Sequence, residues 1–301
     1  MTQVTASMVK DLRGQTGAGM MDAKKALVEN DGNIEASIDW LRTKGLAKAA
    51  KKADRTAAEG LVSVATNDAG TYGVAVEINS ETDFLARNET FQELVGTITA
   101  IAQAGFDNVE ALGAADMGGK PVTEVIKESV GKIGENMNLR RFESVSVTEG
   151  LVASYVHNAV TTGMGKIGVL VGLQSSKPAA ELEALGKQVA MHIAAANPSF
   201  LNIGTVDADI LDRERTVLIE QAKEQGKPDD IAQKMVEGRI RKYYQENVLT
   251  EQVFVIDGET KISKLLGDDI TLTGFTRMVL GEGVEVEETD FAAEVAAAAN
   301  G

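Results

Sequence analysis

The chain contains no cysteine, so neither a disulfide framework nor a thiolate metal site can form, and a reducing compartment suits it. Aromatic residues are scarce at 4%, while 30 glycines and many alanines imply thin helix-on-sheet layers closed by small side chains. Basic charge is also short. Against 45 Asp and Glu stand 30 Lys and Arg, a formal charge of -15 that repels phosphate backbones and argues against direct nucleic-acid binding. No run of about 18 apolar residues exists, and Met1-Thr2-Gln3-Val4 lacks a basic segment followed by an apolar one, so a cytoplasmic chain without membrane contact is expected. The two histidines, His157 and His192, stand alone in the sequence. They leave no readable metal set, cofactor site or nucleophile with its base.

What is present is 44% hydrophobic over 301 residues, enough for several compact units of an α+β fold. The first stretch reads as three short helices starting near Thr5, Gly19 and Asn33, with breaks at Gly14–Gly19 and Asp31-Gly32-Asn33. Leu12, Met21, Leu27, Ile34, Ile38 and Leu41 are their expected core, and the unit is expected to end near Gly45. Lys44, Lys48, Lys51, Lys52 and Arg55 then lie among alanines with little to bury. This segment reads as a solvated helical connector, with a basic contact patch as the alternative.

Beyond it an internal duplication begins. Glu59-Gly60-Leu61-Val62 returns as Glu149-Gly150-Leu151-Val152, and each quartet opens a strand, a turn and a second strand, Tyr72–Glu77 or Ile167–Gly172. A helix follows each hairpin, the first starting at the capping box Thr90-Phe91-Gln92-Glu93 and the second covering about Ala180 to Ala196 before Pro198. From Val206 to Asn247 two helical arms separated by Gly226-Lys227-Pro228 carry narrow apolar stripes, as in an inserted antiparallel hairpin. Strand patterns resume at Gln252–Ile256 and Thr271–Leu280, and Glu288-Thr289-Asp290-Phe291 leads into an alanine-rich helix.

Chemistry-bearing motifs are few. Gly163-Met164-Gly165-Lys166-Ile167-Gly168 fits GxGxxG but is followed by a strand rather than a helix, so it reads as a hairpin turn, and Gly118-Gly119-Lys120-Pro121 fails the phosphate-loop spacing. Carboxylates are numerous enough that counting alone leaves a two-carboxylate hydrolase open. Glu81-Thr82-Asp83-Phe84-Leu85-Ala86-Arg87 differs, because an acid and a large aromatic stand side by side at a strand exit. Two readings are balanced there: Thr82 or Asp83 caps a helical turn while Phe84 packs inward, or Phe84 is an exposed wedge.

Thr16-Gly17-Ala18-Gly19-Met20-Met21-Asp22-Ala23-Lys24-Lys25-Ala26-Leu27 resembles the N-terminal signature of the elongation factor Ts family. Thr82-Asp83-Phe84, Lys132-Ile133-Gly134-Glu135-Asn136, Met235-Val236-Glu237-Gly238-Arg239 and Thr289-Asp290-Phe291-Ala292 resemble its other hallmarks, in order, over essentially the whole chain. The resemblance implies a three-helix domain similar to ubiquitin-associated folds with its basic linker (1–54), a first α+β core subdomain (55–145) and a second (146–205 and 248–285). It further implies an inserted helical hairpin (206–247) and a C-terminal helical module (286–301). The implied function is nucleotide exchange on elongation factor Tu without covalent chemistry or cofactor: binding the GDP form through its nucleotide domain and a second domain, disturbing the magnesium and phosphate site, releasing GDP and admitting GTP. Residues implied to touch that partner are Thr82, Asp83 and Phe84 at the tip; Arg13, Met20, Met21 and Lys24 near the N-terminus; Ile133 and Gly134; His157; and Val236. Asp290-Phe291 reads as a structural echo. The hairpin is a candidate for pairing two copies of the complex, and a non-catalytic protein-binding scaffold is the alternative function. The run His157–Gly165 is expected to make a longer turn than the family's compact one.

Overall fold

The computed structural model describes residues 4–285 apart from Lys227. The Thr289-Asp290-Phe291 motif and the C-terminal module lie outside the described residues. Three helices open the chain, α1 (Ala6–Thr16), α2 (Met20–Glu29) and α3 (Ile34–Ala50), with Thr5, Gly19 and Asn33 at their N-caps. Leu12, Ala23, Ala26 and Leu27 form their buried core, with Ile34, Ile38, Trp40 and Leu41 packed around it. Met21 is not a member. It is 74% exposed, because it falls almost opposite Ala23 around the helix.

The basic stretch after Gly45 is also not a free connector. α3 continues through it to Ala50 and packs on α6 (Val122–Ile133), with Ala49 buried in the neighbouring core. Gly45 and Gly131 let the two backbones touch: a Cβ on Gly131 would stand 2.7 Å from Gly45 Cα.

Six strands follow, each ladder antiparallel. β1 (Glu59–Thr66), β2 (Tyr72–Ser80) and β3 (Met137–Ser146) make the first half; β4 (Gly150–Thr161), β5 (Met164–Gln174) and β6 (Thr271–Val279) make the second. The order is β3-β2-β1-β5-β4. β6 pairs with β5 over Ile167–Gln174, and β1 takes the remainder of the same edge at Met164 and Gly165. Between β2 and β3 lie α4 (Glu89–Ala102), α5 (Val109–Ala114) and α6. Between β5 and β6 lie α7 (Ala179–Ala196), the hairpin arms α8 (Ala208–Glu224) and α9 (Asp229–Asn247), and α10 (Ile262–Leu266).

Alternation along the strands sends one face of each half to its own helices and the other to its sister. Leu61, Val74, Val76 and Ile78 meet Phe91, Val95 and Ile98 of α4, whereas Val169, Val171 and Leu173 meet Val189 and Ile193 of α7. Between the halves, Val62, Val64, Ala75, Val145, Val152, Leu170 and Met278 build a layer of mostly small side chains. The curled sheet is thus a mixed α+β architecture with three thin cores.

The repeated quartet has a backbone cause. Gly60 faces Asn79 and Gly150 faces Gln174, with φ of +123° and +121°. A Cβ at either would collide with the carbonyl oxygen of Ile78 or Leu173. Each glycine therefore performs the same close strand crossing.

Several local expectations need correction. α4 is capped by Asn88, whose side chain accepts the Phe91 N–H, rather than by Thr90. Gln252–Ile256 is a turn-rich segment instead of a strand, because Gln252 and Val255 bond to side chains and helix ends rather than to a neighbouring strand. His157–Gly165 is no long turn: β4 runs to Thr161, a two-residue turn at Thr162-Gly163 follows, and a bulge near Ala159 absorbs the extra residue. Among the described residues no helix is long and apolar enough to cross a membrane.

Candidate functional site

β2 ends at Ser80, and Glu81-Thr82-Asp83-Phe84 carries the chain into a 3-10 turn at Leu85–Arg87. Leu85 and Ala86 are the residues that turn inward, joining the core around Phe91. Phe84 stays outside at 77% exposure, and neither Thr82 nor Asp83 caps a helix. The inward-packing reading of Phe84 is thereby excluded. Burying a Phe side chain contributes roughly 1.5–3 kcal/mol, a gain that the free chain forgoes here.

The loop that presents Phe84 is held by two exchanged carboxylates. Glu135 accepts the Thr82 N–H (3.0 Å) and the Thr82 hydroxyl (2.8 Å), while Glu81 accepts the Asn136 N–H at 2.6 Å. Ser80 Oγ donates to the Thr82 carbonyl at 3.0 Å. Hydrogen bonds to a charged group contribute roughly 1.5–3 kcal/mol each, so the three to carboxylates, with the neutral Ser80 bond beside them, fix the loop's backbone well. Asp83 meets Arg87 only at 4.0 Å, with both side chains half or more exposed, a pair worth at most about 1 kcal/mol. Asp83 is therefore displayed beside Phe84 rather than consumed structurally.

The same junction gathers Ile133 and Gly134. α6 ends at Ile133, Gly134 closes it in the left-handed conformation (φ +93°), and Glu135 follows immediately. Lys52, just beyond α3, donates to the Gly134 carbonyl, and Asn136 Nδ2 donates to the carbonyls of Ala53 (3.3 Å) and Arg55 (2.7 Å). Arg55 in turn pairs with Glu81 at 3.3 Å. Thr82, Ile133 and Gly134, far apart in sequence, thus stand at one knot. Glu81, Glu135 and Asn136 stand in the quoted motifs and Lys52 in the basic stretch, but none of them is legible as part of this clamp, because a polar run after a helix-ending glycine does not show its partners.

The N-terminal candidates form a second patch at the α1–α2 corner. Met20 and Met21 are 60% and 74% exposed at the start of α2, and Lys24 lies one turn beyond Met20 on the same side. Arg13 lies in the last turn of α1, its Nε donating to the Ala18 carbonyl at 3.2 Å. Two exposed thioethers flanked by cations suit an adaptable protein contact.

The remaining candidates stand elsewhere. His157 lies on β4 opposite Ile167, exposed, its Nδ1 3.1 Å from the Tyr155 hydroxyl. Val236 is buried on α9, which pairs with α8, so its side chain does not face outward; the exposed apolar neighbour is Met235. His192 is buried, with Nδ1 accepting the Val255 N–H (3.2 Å) and Nε2 facing Gln252 Oε1 (2.9 Å). That partner set selects the neutral tautomer with its proton on Nε2. Burial lowers its pKa, opposed only by the Gln252 hydrogen bond.

Comparison with known proteins identifies the relatives of the chain. The family described as Elongation factor TS matches residues 81–282, a span that begins at the tip loop. A protein named Elongation factor Ts from Rhodospirillum rubrum is 58% identical, covering 99% of both chains. Others of that name from Paramagnetospirillum magneticum (57% identical, 99% of this chain and 98% of the relative) and Rhizobium etli strain CIAT 652 (54%, 100% of both) are similar along their whole length. With the match spanning both halves of the sheet, the tip loop and its clamp, the chain belongs to the elongation factor Ts family.

Proposed function

We propose that the chain promotes guanine-nucleotide exchange on elongation factor Tu by binding alone. In this reading it engages the GDP-bound partner, inserts the tip beside the partner's magnesium and phosphate site, lets GDP leave, and is itself displaced as GTP enters. A GTPase that holds GDP at nanomolar affinity has about 12 kcal/mol of binding free energy, part of which an exchange factor must offset. It does so by preferring the nucleotide-free conformation, and reciprocity then requires nucleotide to weaken the factor's own binding equally.

The observation that carries the reading is Phe84, 77% exposed on a loop tied down at both sides, with Asp83 displayed beside it in a solvated 4.0 Å pair with Arg87. An aromatic held out of its own core and filling a partner's pocket is the composition of an interface hot spot. Arg13, Met20, Met21 and Lys24 would extend the contact over the nucleotide domain, Ile133 and Gly134 would belong to the contact made by the first core subdomain, and His157 to that made by the second. Val236 would act from within the hairpin, by shaping the surface around Met235. The chain would divide into the three-helix domain and linker (1–54), two related core subdomains, the hairpin (206–247) and the C-terminal module (286–301), working in the cytoplasm.

The test is release of a fluorescent GDP analogue from purified elongation factor Tu. A sub-stoichiometric amount of this chain should accelerate it, and an unchanged release rate would favour the scaffold.

A further inference from the structure

We infer that Glu135 is the positioning residue of the tip, setting Phe84 and Asp83 through its double hydrogen bond to Thr82; this rests on the exchange reading above. Three observations carry it. First, Glu135 takes both donors of Thr82, N–H at 3.0 Å and Oγ1 at 2.8 Å, so one carboxylate fixes backbone and side chain two residues before the exposed phenyl ring. Second, no hydrogen bond holds the Phe84 ring, which has no polar group, and Asp83 has only its 4.0 Å approach to Arg87; the direction of both is set from the loop's base. Third, Glu135 is not free to move. It follows Gly134 at the end of α6, Lys52 holds the Gly134 carbonyl, and Asn136 is held by Ala53, Arg55 and Glu81.

The consequence is mechanical. α3 lies against α6 with backbones in contact at Gly45 and Gly131. The patch at Met20 and Met21 therefore connects to the tip through helix, glycine contact, helix and carboxylate. A partner docked on the N-terminal patch finds the ring already aimed, and the ordering cost of the loop is absent at insertion.

The experiment measures GDP-analogue release against chain concentration for the wild type, Glu135→Ala, Glu135→Gln and Asp83→Ala/Phe84→Ala, with amide hydrogen exchange at residues 81–84 as a second readout. In Glu135→Ala the tip amides should lose protection while β2 keeps it, and the maximal release rate should fall about tenfold with half-saturation moved less than twofold, because docking surfaces are intact. Glu135→Gln keeps one acceptor oxygen and should recover part of the rate. A residue acting through Phe84 and Asp83 has little left to lose once both side chains are gone, so adding Glu135→Ala to the double variant Asp83→Ala/Phe84→Ala should leave its rate unchanged. Should Glu135→Ala fail to fold, Thr82→Val removes only the hydroxyl donor and should show a smaller loss of the same kind. Wild-type release that is accelerated, with Glu135→Ala equally fast despite an unprotected tip, overturns the inference while leaving the exchange reading intact. A further loss when Glu135→Ala is added to that double variant also overturns it. No acceleration by the wild type is the separate failure of the exchange reading itself.

Discussion

The exits of β2 and β5 are the same place in the duplicated half-sheet, and they have been put to different uses. Gly60 against Asn79 and Gly150 against Gln174 align the hairpins, so Ser80 corresponds to Ser175. After Ser175 the chain makes one tight step, Lys177 N–H to Ser175 Oγ at 3.2 Å, and enters α7 directly behind Pro178. Its charged residue, Lys177, meets Asp269 in a solvated pair. After Ser80 the chain detours through Glu81–Phe84 before the 3-10 turn and α4, and that detour carries the exposed ring and its carboxylate clamp. The scaffold is repeated while the chemistry is grafted onto one copy, which is how loops on a rigid frame commonly take on function.

The strongest challenge to the equivalence of the two halves comes from their glycines. Gly60→Ala and Gly150→Ala each force an L side chain to positive φ and into a carbonyl, and each should lower stability by about 3 kcal/mol or more, to a similar extent. Chemical denaturation of the two variants checks this. A mild effect at one position would show that the strand crossings differ. The functional side of the comparison is tested by Phe84→Ala against Lys177→Ala. The first should slow exchange about 30-fold, the scale of a 2 kcal/mol hot spot, with the melting temperature nearly unchanged; the second should alter neither. Unfolding of Phe84→Ala would restore the inward-packing reading.

The glycine contact under the first half predicts a smaller effect. Gly131→Ala would push a methyl group toward Gly45 Cα, separating α3 from α6, and should cost about 1–3 kcal/mol. It should also raise the concentration for half-maximal exchange, since the N-terminal patch loses its fixed relation to the tip. Proteolysis between α3 and β1, compared with the wild type, reports the separation directly.

Much of this was legible before any coordinates. The caps Thr5, Gly19 and Asn33 stood where polar or glycine residues precede apolar helical spacing, and the repeated quartet announced two matching hairpins. What misled was context. Gly45 reads as a helix end on propensity, yet α3 runs on through it to Ala50, packed against α6, where Gly131 leaves no room for a Cβ beside the Gly45 backbone. Gln252–Ile256 alternates like a strand, but its polar groups are claimed by His192 and the end of α9. At the site, Phe84 could be named but not aimed from the sequence, since the inward residue turned out to be its neighbour Leu85. Glu135 stands in the quoted Lys132–Asn136 motif, but its role was not legible, because its donors lie on a distant strand exit and no local pattern links a carboxylate to such a partner.

The halves also differ in the polar group each buries, and this gives the smallest expected effect. The first half buries Glu77 between Arg140 and Arg141, with the Gly281 N–H also donating to it. The second buries His192, neutral, between Gln252 and Val255. Burial lowers the pKa of His192, so as pH falls the unfolded chain takes up the proton first, near its ordinary value of about 6.5. Stability from the neutral ring is therefore complete above about pH 6.5 and is lost progressively below it, at no more than about 1.4 kcal/mol per pH unit. Protonation would also turn Nδ1 into a donor facing the Val255 N–H. Between pH 6.5 and 5, amides of α7 and of the segment after α9 should lose hydrogen-exchange protection before those of α4. His192→Gln should lower stability at neutral pH and flatten that profile. Loss of protection in α4 and α7 together, or a profile in His192→Gln as steep as the wild type, would mean that the acid sensitivity does not reside in this imidazole.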